Sequence, residues 1–200
     1  MSNKKTLATY GLVACGGSSS RMGTDKSMLT YHQKPQRYHV YEMLQPFCEK
    51  VFISCREEQA ATVEDGYNIL ADHPAYNETG PMAALLSAFA EFPQKNMLLI
   101  GCDYPFLTAN DLQQFSAYCN DEDHAVAFYN DKGNVYEPLL AWYNHNSFYA
   151  LKKMYDTKQY SLQHFLRSSQ TVKFYPTDNK NIESIDTREA IARYRVRDTG

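Results

Sequence analysis

Short apolar runs recur along the first two-thirds of the chain, and a stretch of helical pattern separates most of them from the next. The runs are TYGLVAC (9–15), VFISC (51–55), YNILAD (67–72), NMLLIGCD (96–103) and HAVAFYN (124–130). Each is compact and bounded by polar or turn residues, which fits strands buried on both faces of a parallel sheet. VYEPLLAWY (135–143) follows NDKGN, a glycine-containing turn that returns the chain as a hairpin, and TVKFYP (171–176) is a further strand near an edge. Helices are expected at 37–45, stopping near Pro46, and at 80–92, 108–119, 147–155, 161–168 and 187–196. Pro81 suits a first helical position, and Thr108 with Asp111 reads as a capping box. The alternation predicts an α/β fold: a three-layer, Rossmann-like, doubly wound and mostly parallel sheet with helices on both faces. No repeat or linker divides the 200 residues, so a single domain over 1–200 is expected.

Composition narrows the function classes. A net charge of −3 announces no basic face for nucleic acid, so no nucleic-acid partner is expected. No run approaches the ~18 apolar residues of a membrane helix, and the basic start lacks the apolar core of a signal peptide. The five cysteines, at 15, 48, 55, 102 and 119, form no C-x-x-C pair. They are expected as reduced thiols in a cytoplasmic protein, without a zinc site. The six histidines show no ligand spacing and are expected as ordinary surface or core residues.

The stretch ACGGSSSRMGTDKS (14–27) leaves the first strand, and in such folds ligands bind beyond the carboxyl ends of the strands. Gly16 and Gly17 let backbone N–H groups approach an anion, while Arg21 and Lys26 add positive charge. A polyphosphate is the expected guest. The spacing fits neither the Walker A loop nor the G-x-G-x-x-G fingerprint. A plain Gly/Ser-rich surface turn with two solvated cations is the alternative.

The run G-G-x-S-x-R-M-G-x-D-K, from Gly16 to Lys26, resembles the signature of molybdenum cofactor guanylyltransferases and their nucleotidyltransferase relatives. GPMAALLSAF (80–89), CDYPFL (102–107), EPLLAWY (137–143) and SIDTREAI (184–191) are similar to that family's later motifs, in the same order. The resemblance implies a nucleotide-diphospho-sugar-transferase-like fold. It implies transfer of GMP from GTP to the terminal phosphate of molybdopterin, in its molybdenum-loaded form, with release of pyrophosphate. Under it, Ala14, Cys15, Gly16, Gly17, Arg21, Lys26, Asp72 and Asp103 bind the nucleotide, with Asp72 serving the guanine. Arg21, Lys26 and Asp103 act in catalysis, and Asp103 and Asp186 hold Mg²⁺. Gly16 stands where cytidylyltransferase relatives carry Ala, so GTP is favoured over CTP. Transient contact with cofactor-biosynthesis or molybdoenzyme proteins is also implied, and no membrane partner.

Each aspartate has a plainer role open to it. Asp103 would start the turn before Pro105, Asp72 would be solvated, and Asp186 would cap the final helix with Glu189. Ser54, Cys55 and Arg56 stand where the family has Asn, and Arg188 replaces a Pro. Tyr31, His32, Tyr38, His39 and Tyr41 either stack on a pterin or pack a short helix against the sheet. Two rivals remain: a cytidylyltransferase or sugar-phosphate nucleotidyltransferase, and a non-catalytic nucleotide-binding protein.

Overall fold

The structure is a computed structural model that describes residues 9–15, 26–119 and 125–185, and of Lys26 the backbone alone. Among these residues, seven strands form one sheet: β1 (Thr9–Ala14), β2 (Lys50–Cys55), β3 (Ile69–Ala71), β4 (Asn96–Gly101), β5 (Val126–Asn130), β6 (Val135–Tyr143) and β7 (Val172–Phe174). The helices are α1 (Gln36–Leu44), α2 (Glu57–Ala60), α3 (Pro81–Glu91), α4 (Ala109–Ser116), α5 (Ser147–Asp156) and α6 (Leu162–Ser168). The strand order is β3-β2-β1-β4-β6-β5-β7. β6 runs antiparallel to both β4 and β5, and every other pairing is parallel.

The apolar runs of β1, β2, β4 and β5 behave as expected of strands covered on both faces, whereas β3, expected to be buried as well, lies at the edge of the sheet with Ile69 exposed. Along β1, Tyr10, Leu12 and Ala14 enter one core and Val13 the other. Along β4, Met97 and Leu99 alternate in the same way with Leu98 and Ile100. The first core is closed by α3, α5 and α6 through Leu85, Leu86, Phe89, Leu151 and Phe165. The second is closed by α1 and α4 through Val40, Leu44, Leu112 and Phe115. Period-two alternation in the strands thus supplies both layers at once, giving the three-layer α/β arrangement.

Local signals work where they were expected. Gly80 caps α3 at φ 62°, a left-handed conformation that favours glycine, and Pro81 follows at the first helical position. Thr108 N–H donates to Asp111 Oδ2 at 3.0 Å and Asp111 N–H donates to Thr108 Oγ1 at 3.2 Å, completing the capping box. Asn181 Nδ2 adds a bond to the same carboxylate at 3.0 Å, so the cap also ties the chain's last described stretch to α4. The β5–β6 hairpin turns through Asp131–Asn134, with Asn134 at φ 52°. α2 spans four residues, too short to show a helical period in the sequence. The helix expected at 187–196 lies outside the described residues.

Of the aromatic segment, the tyrosines are packing, whereas His32 and His39 are half-buried and stack on each other at 4.0 Å. Tyr38 and Tyr41 are buried, Tyr38 stacks on Tyr67 at 4.3 Å, and Tyr41 meets Tyr67 edge-on. The Tyr38 hydroxyl accepts from Arg37 Nη2 at 2.8 Å and from the Glu64 N–H at 2.9 Å. These rings hold α1 and the 63–68 segment to the sheet rather than lining an open surface.

Candidate active site

The connectivity reverses between β1 and β4: β2 and β3 build outward on one side of β1, and β4 begins the other side. Such a switch point opens a crevice at the carboxyl ends of the two strands. Register then fixes which residues stand along its rim. Ala14 pairs with Ser54 on one side and Gly101 on the other. Cys55 pairs with Ala71, and the Asp72 N–H donates to the Cys55 carbonyl at 3.0 Å. The rim therefore runs Asp72, Ser54, Ala14, Asp103, from the end of β3 to the end of β4. With strands ~4.8 Å apart, its two aspartates stand roughly 14 Å from each other, the scale of an extended nucleotide rather than of one ion.

At the β3 end, Ser54 Oγ donates to Asp72 Oδ1 at 3.4 Å. Of the three residues replacing the family Asn, Ser54 is thus the one whose side chain reaches an aspartate on the rim. Burial pushes the Asp72 carboxyl up to about 6, against the opposing pull of the Ser54 hydroxyl and the Arg56 charge. A carboxylate held this far from water gains from any ligand that offers it N–H donors.

At the β4 end, Asp103 lies against Gly101. A Cβ on Gly101 would meet Asp103 Oδ1 at 2.5 Å, so the carboxylate occupies the space a side chain would fill. Glu137, at the start of β6, faces the same end. Tyr104 Oη donates to Glu137 Oε2 at 3.0 Å. Burial is the main cause raising the Glu137 carboxyl above its ordinary range; hydrogen bonds from Tyr104 and Asn130 oppose it, and the Asp103 charge adds to it. Glu137 was not among the residues expected from sequence. Its signal was an acidic residue entering an otherwise apolar strand, but its proximity to Asp103 depends on the β4–β6 pairing.

Gly16, Gly17, Arg21 and Asp186 lie outside the described residues, as does the Lys26 side chain. Their chain neighbours are nonetheless anchored. Cys15 N–H donates to the Ser54 carbonyl at 3.1 Å, and its Sγ lies 3.6 Å from Cys102 Sγ. On the far side of the loop in sequence, Lys26–Met28 forms a 3₁₀ turn, and His32 Nε2 bonds the Pro105 carbonyl at 2.8 Å. Ile185 N–H donates to the Asp103 carbonyl at 2.7 Å, immediately before Asp186. Three separated segments thus converge on residues 102–105.

An oxygen-ligated Mg²⁺ fits these residues. The ion favours one or two carboxylates completed by phosphate oxygens and water, and Asp103 with Glu137 nearby is a hard-oxygen set. Among the described residues no group of three or more His, Cys, Asp or Glu forms a metal cage. No helix there is long and apolar enough to cross a membrane.

Comparison with known proteins agrees with this architecture. A relative from Synechocystis sp., named molybdenum cofactor biosynthesis bifunctional protein, is 32% identical over 135 residues. The match covers 67% of this chain and 38% of that relative, so the chain spans well under half its length. The molybdenum cofactor guanylyltransferase of Shewanella sediminis is 25% identical over 136 residues, 68% of each protein. The crystal structure of molybdopterin-guanine dinucleotide biosynthesis protein A from Archaeoglobus fulgidus superposes with a TM-score of 0.76 at 19% identity. It covers 96% of this chain and all of that one, which establishes the shared fold. The model of the MobA-like NTP transferase domain matches residues 11–172, running from the first strand through the whole rim to the last, and the chain belongs to that family of nucleotidyltransferases.

Proposed function

We propose that the protein is a molybdenum cofactor guanylyltransferase. It transfers GMP from GTP to the terminal phosphate of molybdopterin, in its molybdenum-loaded form, and acts as a single domain. The observation that carries this reading is the convergence at Asp103. The strand leading into the glycine loop, the segment leaving it and the chain entering Asp186 all bond to residues 102–105.

In this mechanism the guanine lies toward Asp72, whose carboxylate accepts from the N–H groups on the base edge. Ala14 and Cys15 line the nucleotide through the backbone, and the amides at Gly16 and Gly17 cradle the phosphates. An acceptor phosphate oxygen attacks the α-phosphorus in line, the bond to the β-phosphate oxygen breaks, and pyrophosphate leaves. Arg21 and Lys26 offset the charge that spreads over the phosphoryl oxygens. Asp103, with Asp186, would hold Mg²⁺, which would supply positive charge to offset that of the triphosphate. No general base is required, because the attacking phosphate is already ionised at neutral pH. The known names of the relatives, the family match and the Gly at position 16 favour GTP as donor.

The test is pyrophosphate release by purified protein with Mg²⁺, molybdopterin and each nucleoside triphosphate in turn. GTP should support turnover well above CTP, and Asp103→Asn should slow it severely, to a low but measurable rate, while the protein stays folded. Turnover with CTP, or with a sugar phosphate in place of molybdopterin, would replace this reading by the corresponding rival. Nucleotide binding without turnover on any acceptor would favour the non-catalytic one.

A further inference from the structure

Cys15 and Cys102 end adjacent parallel strands in matching register, since Ala14 pairs with Gly101 one residue earlier. Both side chains therefore leave the sheet on the α1/α4 face, where Val13, Ile100 and Cys102 share a core that Cys15 packs against. Their sulfurs lie 3.6 Å apart, and both are thiols. In-register neighbours in a sheet have Cα atoms ~4.8 Å apart, inside the ~4.4–6.8 Å window that a disulfide tolerates. Closing the remaining gap draws the two strand ends together as well as turning the side chains. Cys15 is half-buried whereas Cys102 is buried, so an oxidant from solvent meets Cys15 first and finds a second thiol behind it.

We propose that Cys15 and Cys102 form an oxidative modification site, in which a small peroxide converts the two thiols to a disulfide across the switch point. The Cys15 sulfur attacks one peroxide oxygen, the O–O bond breaks, and water leaves as Cys15 becomes a sulfenic acid. The Cys102 sulfur then displaces that hydroxyl, which departs with the thiol proton as a second water. Two thiols and one hydrogen peroxide thus yield one disulfide and two waters. A thiol reductant reverses the step.

The consequence rests on the proposed function. Cys15 leads directly into the glycine loop and Cys102 directly into Asp103. Drawing the sulfurs together from 3.6 Å to a bond of ~2.05 Å shifts the two positions that frame the phosphate cradle. Misplacement on that scale costs a phosphoryl-transfer site on the order of a hundredfold in rate. Cys48 and Cys119 are also half-buried neighbours, but their surroundings hold their thiols back. Burial pushes Cys48 up to about 12 and raises Cys119 further, which keeps both protonated and slow to react.

The experiment treats the purified chain with stoichiometric hydrogen peroxide and follows intact mass, disulfide-linked peptides and GTP turnover. The expected result is loss of two hydrogens, a single Cys15–Cys102 link and at least a tenfold fall in rate, all reversed by dithiothreitol. Cys15→Ala, compared only with its own untreated sample, should show neither the link nor peroxide-dependent inhibition. Protection of Cys15 and Cys102 from alkylation in the wild type gives the same information without any variant. Alkylation of both thiols after peroxide, a Cys48–Cys119 link instead, or a Cys15–Cys102 link with unchanged turnover would each overturn the proposal. If the reduced protein turns over no nucleotide, the proposed function fails, while mass and peptide mapping still decide whether the site is modified.

Discussion

Gly101→Ala isolates the placement of one carboxylate without removing it. A Cβ at this position would stand 2.5 Å from Asp103 Oδ1 and 3.1 Å from Leu139 Cβ. Ordinary non-bonded separation is about 3.5 Å, so the carboxylate must retreat by ~1 Å. A displacement of that size at a phosphoryl-transfer site corresponds to ~10²-fold in rate, or about 2.7 kcal/mol of barrier. Crowding against Leu139 adds a stability cost of about 1–3 kcal/mol. The assay is steady-state pyrophosphate release over a range of Mg²⁺ concentrations, with thermal denaturation measured in parallel. kcat should fall 30–100-fold (an order-of-magnitude expectation) and the Mg²⁺ requirement should rise. GTP binding measured in excess chelator should change little. A double-mutant cycle supplies the sharper criterion: Gly101→Ala combined with Asp103→Asn should be no slower than Asp103→Asn alone. A Gly101→Ala enzyme with wild-type rate and wild-type Mg²⁺ dependence would refute the claim that this glycine seats the carboxylate.

Other expectations follow from single environments. Because burial raises the folded Asp72 pKa to about 6 from 3.8, the folded state holds its proton more tightly than the unfolded chain. That contribution to stability is complete below pH ~3.8 and is lost as pH rises through ~6. Asp72→Asn should therefore melt higher than wild type at pH 8, by on the order of 1 kcal/mol after solvent screening, and no higher at pH 3.5. The opposite order in thermal melts would refute it, and GTP affinity should rise with pH over the same interval. Asp111→Ala strips Thr108 and Asn181 of their shared acceptor and should cost about 2 kcal/mol in urea denaturation, with GTP affinity unchanged. Tyr38→Phe leaves two donors without their oxygen and should cost about 1–3 kcal/mol; an altered KM for the pterin acceptor would count against its packing role. Cys48 should resist alkylation at neutral pH until the protein unfolds, and prompt labelling of the native chain would contradict its half-buried, protonated state.

The layers were legible in the sequence because local pattern sets them. Runs such as NMLLIGCD carry apolar residues on both faces, which only a covered strand needs, and Gly80-Pro81 and Thr108–Asp111 mark helix starts by their own chemistry. α2 escaped notice because four residues complete barely one turn. Asp103 and Asp72 were legible as candidate site residues because each ends a strand ahead of a proline turn. Glu137, Ser54 beside Asp72, and the Cys15–Cys102 contact were not, because each depends on register between strands far apart in the chain. The aromatic cluster shows the converse. Its composition fits a pterin platform as well as a core, and only the burial of Tyr38 and Tyr41 on the inner face of α1 decides for packing.

The central claim is that a triphosphate lies over the end of β1 with its metal at Asp103 and its base toward Asp72. A crystal structure of the protein with GTP and Mg²⁺ tests this most directly. The account predicts the ion coordinated by an Asp103 oxygen, the phosphates against the 15–26 loop and the guanine edge within hydrogen-bond distance of Asp72. A nucleotide bound elsewhere, or a metal held without Asp103, would contradict it.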